Sequence, residues 1–397
     1  MKTPSVFALV AALVALTLSY GALAAPATPA RPPAMGPMVR PATDARAPGQ
    51  DRVPPAPDLL RVGALMLEPG EDWPMSALID PTAGFAYFGT ETWPGRIVKV
   101  RLSDFTRVGA LTLETGENRL WAAVIDPGAG FAYFGTYTEP GRIVKVRLSD
   151  FTRVGAFTLE AGEDFLTSAA IDPGAGFAYF GTAASQGRIV KVRLSDFTRV
   201  GALTLNPDES VLMSAVIDTG AGFAYWGTVA SPGRVVKVRL SDFTRVDAIT
   251  LDTGEGFLRA AAIDPGAGFA YFGSGLLTGR VVKVRLSDFT RVGALALAPG
   301  EDQFNSAVID PAAGYAYFGT DNDPGQIVQV RLSDFTRAGA LTLNPGENSL
   351  RTATIDPGAG YAYFCTSSGP GQVVKVLLTD FAHQFYLPAA LHDVAQP

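Results

Sequence analysis

One phrase, IDPGAGFAYFGT, fills residues 125–136 and returns almost unchanged at 171–182, 217–228 and 263–274. The interval never changes. Seven units begin at Arg61, Arg107, Arg153, Arg199, Arg245, Arg291 and Arg337, each 46 residues long without insertion or deletion. A chain written this way must bury each unit against a copy of itself, so its architecture is an array of equivalent modules.

A period near 46 suits paired helices as well as the four-stranded blades of a propeller, and local chemistry separates the two. The unit from Arg107 holds four runs of strand-forming residues, RVGALTL, WAAVID, FAYFGT and RIVKVRL. DPGAG, PG and SDFT punctuate them, and such Pro and Gly clusters interrupt helices. A transmembrane barrel needs strands of about 9–11 residues, and most of these runs have only six or seven. The expected fold is therefore all-β: a seven-bladed β-propeller of four-stranded antiparallel blades. The outer-strand pattern first occurs at Arg61–Leu67, ahead of the first inner strand. That segment is expected to complete the last blade and close the ring, with Val62 and Leu65 buried.

The order of the DPGAG turn, AYFGT, IVKVRL, SDFT and VGALTL resembles the YVTN-type repeats of bacterial seven-bladed propellers. The likeness spans about 320 residues and implies a propeller that is secreted or held at a cell surface. It carries over no functional residue, and the literal YVTN letters are absent.

The first residues read as an export signal. Lys2 precedes the apolar run Val6–Leu18, and Ala22-Leu23-Ala24 offers a small-x-small cleavage site. Residues 1–24 are thus expected to be a signal peptide. Residues 25–58, with ten prolines between Pro26 and Pro57, form an extended linker, residues 59–382 the propeller, and 383–397 a tail along the rim. The protein is expected to be secreted, periplasmic or surface-bound, without membrane insertion once the signal is removed. A lone cysteine, Cys365, allows no internal disulfide. The net charge of −6 argues against nucleic-acid partners, and a monomer is expected.

The seven copies can be compared with one another. DPGAG-type and SDFT turns, sharing one face of the disc, scarcely vary. On the opposite face the second-to-third-strand loops read ETWPG, YTEPG, AASQG, VASPG, GLLTG, DNDPG and SSGPG. Ahead of the inner strand, one column holds Met75, Trp121, Thr167, Met213, Arg259, Asn305 and Arg351. Recognition tends to lie in loops on a rigid scaffold. The candidate binding residues are therefore Trp73, Met75, Trp93, Trp121 and Tyr137 in neighbouring blades, with Arg259, Asn305 and Arg351 further round. Clustered tryptophans suit a protein or glycan partner.

A glutamate recurs at 71, 117, 163, 209, 255, 301 and 347. Each is expected to pair with a cation of its own blade or to accept loop N–H bonds. The aspartates from Asp80 to Asp356 are expected to bond their own turns. Asp321-Asn322-Asp323 lacks the spacing of a calcium loop. No catalytic residue, cofactor or metal ligand is assigned, since both histidines lie in the tail and no nucleophile–base arrangement can be assembled. The expected function is non-catalytic recognition or scaffolding. The alternative is a lactonase-like hydrolytic propeller with its site at the channel mouth, built on Arg259, Asn305 and Arg351.

Overall fold

Each Asp-Pro-Gly-Ala-Gly turn closes on itself, and that local geometry starts every blade. In the computed structural model, which describes residues 58–378, Asp126 Oδ1 accepts a hydrogen bond from the Ala129 N–H at 3.0 Å. Gly130 takes φ 76°, a value glycine adopts without steric penalty. The aspartates from Asp80 to Asp356 repeat the bond, as expected. The expected signal peptide, the linker up to residue 57 and the tail lie outside the described residues.

Twenty-eight strands follow one another as β1–β28. The first blade is a meander of β2 (Pro74–Asp80), β3 (Phe85–Thr90), β4 (Arg96–Arg101) and β5 (Thr106–Thr112). Five more blades repeat it. The seventh is assembled from both ends of the described chain. Strand β1 (Leu60–Met66) lies antiparallel to β28 (Gln372–Leu377), outside β27 (Tyr361–Thr366) and β26 (Leu350–Asp356). The ring is closed by an N-terminal outer strand. Its details differ from expectation at Val62. The pairing slips between Arg61 and Gly63, so Val62 bulges outward and stays 50% exposed. Leu59 and Leu65 contact the core instead.

Seven apolar cores fill the seven joints between blades. One unites Leu78, Tyr87 and Ile97 of the first blade with Leu120, Phe134 and Val144 of the second. The last unites Phe88 and Val98 with Tyr363, Cys365 and Val373 across the closure. Because every joint has the same shape, the phrase that fills it is the same, and large aromatic side chains span the wedge between radial sheets. Serines add links from blade to blade, as where Ser76 Oγ donates to the Leu120 carbonyl at 2.8 Å.

The glutamate ring performs both expected roles. Glu71, fully buried, accepts the Glu68 N–H at 3.0 Å and the Arg107 Nε–H at 2.9 Å. Arg107 lies on β5, the outer strand of the same blade. In most joints the backbone carbonyl of this glutamate also accepts a neighbouring loop's glycine N–H, as in Gly95 N–H to Glu117 O at 2.8 Å. These glutamates tie outer strand and entry turn together through the carboxylate and the adjacent blade through the backbone carbonyl.

Candidate functional site

The inner strands carry most of the candidate residues, and a pairing irregularity places them. In β2, β6 (Leu120–Asp126), β10 (Leu166–Asp172), β14 (Leu212–Asp218), β18 (Leu258–Asp264), β22 (Phe304–Asp310) and β26, the register slips at the second residue. The residues left without a partner are Met75, Trp121, Thr167, Met213, Arg259, Asn305 and Arg351. They lie within the inner strand, not ahead of it. A bulge re-aims the side chain it carries. In this strand only the bulged column mixes cationic, amide, aromatic and aliphatic side chains, whereas the fourth and sixth columns are alanine and isoleucine throughout.

Two positions earlier the backbone is left-handed in every blade. Trp73, Arg119, Phe165, Val211, Phe257, Gln303 and Ser349 have φ between 48° and 56°. For a β-branched residue such as Val211 this is an uncommon conformation, costing on the order of 1–3 kcal/mol; the phenylalanines of the SDFT turns, such as Phe105 at φ 53°, share it on the opposite face.

Three of the expected aromatic residues come together around one arginine. Trp121 stacks on Tyr137 with centroids 4.2 Å apart, and Tyr137 meets Phe165 of the third blade at 4.9 Å. The Arg119 guanidinium lies 4.3 Å from the Tyr137 centroid, 5.6 Å from Trp121 and 5.4 Å from Trp93. Glu91 of the first blade holds it, accepting Arg119 Nε–H at 2.9 Å. Arg119 thus joins two blades and faces three rings. Trp93 remains 64% exposed, and the Trp121 indole N–H is buried without an acceptor. Burial, more than Glu91 and against the pull of Arg119, raises the Tyr137 pKa. Trp73 is exposed and Met75 half-buried; the structure does not bring them into the Trp121–Tyr137 stack.

The polar residues form a second sector across blades five to seven. Arg259 Nη1 lies 3.4 Å from Asn305 Oδ1, and Arg351 Nη2 lies 3.3 Å from Asp321 Oδ1. Burial first, and the charge of Arg351 second, lower the Arg259 pKa, with Asp321 opposing them. Asn305 is 8% exposed and its Nδ2 has no acceptor. Asp321 therefore serves as an ion-pair partner, and no group of metal-ligating residues occurs among the described residues.

Sequence reasoning missed Arg119 and Asp321 as site residues. Arg119 stands in a column of six residue types, and Glu91 lies 28 positions away. The available signal was the recurrence of an acid at the first loop position, Glu91 and Asp321, in the blade preceding an arginine. In comparisons with known proteins, no family model and no curated sequence matches the chain.

Proposed function

We propose that this propeller is an exported recognition module whose variable loop face binds a protein or glycan partner at the channel mouth. Export is read from the N-terminal sequence, and the resemblance to YVTN-type repeats implies a cell-surface setting. The observation that carries the proposal is the bulged column: five residue types spread over seven blades at one structural position, in blades otherwise nearly identical. An array built only to stack gains nothing from this variety, whereas a binding surface requires it. Exposed Trp93 beside the Arg119-centred rings offers the amphipathic anchor typical of such surfaces.

The grouping on which a hydrolytic reading would rest supports binding better than turnover. Arg259 and Arg351 supply charge and Asn305 supplies an amide, while the neighbouring carboxylate, Asp321, is tied to Arg351. The test is a glycan and secreted-protein binding screen with the purified chain, repeated with Trp93→Ala and Trp121→Ala. Capture lost in the variants, with melting unchanged, supports the reading. Capture equal in all three chains overturns it.

A further inference from the structure

The chain gives its ordered arginines a carboxylate with notable regularity. Arg61, Arg107, Arg153, Arg199, Arg245, Arg291 and Arg337 each hold a glutamate of the ring. Each of these guanidinium groups has its pKa raised, chiefly by the hydrogen bond to that glutamate. Arg259 holds no such glutamate, and burial lowers its pKa. Its contact with the Asn305 carbonyl oxygen, at 3.4 Å, is at the long end of hydrogen bonding and brings no negative charge.

Its surroundings leave a cation in excess. Arg259 and Arg351 contribute two positive charges, and Asp321 returns one negative charge, already engaged by Arg351. Beside them the buried Asn305 Nδ2 lacks an acceptor. A buried amide donor left unsatisfied is a cost that an acceptor on a ligand removes. Guanidinium donors arranged in a plane, joined by an amide N–H, complement a planar anion with two oxygens.

We infer that Arg259, Asn305 and Arg351 form a receptor for a single carboxylate group carried by the ligand, seated at the channel mouth across blades five to seven. The inference rests on reading that mouth as a binding site and names the chemistry it accepts. One oxygen of the carboxylate accepts from Arg259 and the other from Asn305 Nδ2, while Arg351 compensates the remaining charge. A dianion such as phosphate is disfavoured, because one excess positive charge does not balance it and Asp321 repels it. Arg351 then shares its charge between Asp321 and the ligand, which also relieves its repulsion of Arg259.

The experiment titrates the purified full-length chain, at neutral pH and low salt, with sodium acetate, sodium glucuronate and N-acetylglycine. Glucose and inorganic phosphate serve as neutral and dianionic controls, and calorimetry and thermal melting are the readouts. The expected result is binding of at least one carboxylate, with glucose silent and phosphate weaker. The sugar and peptide-like arms then identify which molecule carries the group. Arg259→Gln and Asn305→Leu should each weaken that binding about tenfold or more. Their ligand-free circular dichroism should match the parent, and Asn305→Leu retains the cations should Arg259→Gln fold poorly. No carboxylate binding, phosphate binding tighter than carboxylate, or undiminished binding in both folded variants overturns the inference. The wider reading is scored separately by Trp93-dependent partner capture, which these substitutions need not abolish.

Discussion

Arg61 and Glu347, 286 positions apart, grip each other across the seam where the two ends of the ring meet. Arg61 Nε lies 2.8 Å from Glu347 Oε2 and 3.1 Å from Oε1, and its Nη2 also donates to Oε1. The remaining blades make the equivalent contact between residues joined by continuous chain. At the seam it helps to hold an otherwise terminal strand. Arg61→Ala leaves a nearly buried carboxylate without its cation, and the expected loss is about 1–3 kcal/mol. A chain beginning at Gly70 loses the whole outer strand and should melt lower still. Equal melting temperatures for that chain and the parent would show that the seam contributes nothing.

Acid should loosen the ring through the same clamps. Burial opposes ionisation of Glu255 and Glu347, but arginine and backbone hydrogen bonds outweigh it and hold both below the ordinary value of 4.5. A carboxyl depressed by folding contributes stability above its unfolded pKa and loses it as pH falls through the folded value. Melting temperature should therefore hold steady above about pH 5 and drop below about pH 4. Glu347→Gln should flatten that drop. An unchanged acid limb in this variant would count against the clamp.

Alkali acts through the tyrosines between blades. Burial, and then the neighbouring Asp80, push Tyr87 from 10.0 up to about 12; Tyr133, Tyr179, Tyr225 and Tyr271 behave alike. A group whose pKa folding raises contributes fully below its unfolded value and less as pH climbs through the folded one. Stability should thus decline above pH 10. The lysines packed beside these rings, such as Lys99 at 5.6 Å from the Tyr87 centroid, act oppositely, since burial lowers their pKa. The near-ultraviolet tyrosinate band should rise together with loss of the fold. Full ionisation of the tyrosines in a still-folded protein would contradict this.

Cys365 takes the place that glycine holds in the other six blades, and Pro74 takes the place of leucine or phenylalanine across the same joint. At Gly89 an added Cβ would come 2.8 Å from Leu120 Cβ and 2.5 Å from Ser76 Oγ. At the seventh joint the residue in the place of Leu120 is Pro74, the smaller of the two. Gly89→Cys should cost about 1–3 kcal/mol by overpacking, whereas Cys365→Gly should cost about 1–2 kcal/mol through lost packing. Denaturant titration of both variants checks the pair. A Gly89→Cys protein as stable as its parent would refute the close fit.

Most of the architecture was legible because each packing joint is written seven times. The constant 46-residue interval, the Asp-Pro-Gly-Ala-Gly hairpins and the early outer-strand pattern lead to a closed propeller without further information. Val62 shows where that legibility ends. Alternation along RVGAL points it inward, but a one-residue slip against β28 turns it out, and residue pattern does not reveal such slips. The site was readable as a face and as candidate residues, while its internal grouping was not. Trp93, Trp121 and Tyr137 share one cation, Arg119, which reaches back to Glu91, and long-range side-chain partners leave little trace in local sequence.

The bulged position in each inner strand has an implication for descent. A side chain excluded from the cross-strand register can be exchanged in one duplicated unit while the others continue to specify the scaffold. Seven such sites round one opening amount to a short heritable code. New specificities can then arise by single replacements, one blade at a time, with each intermediate still able to fold.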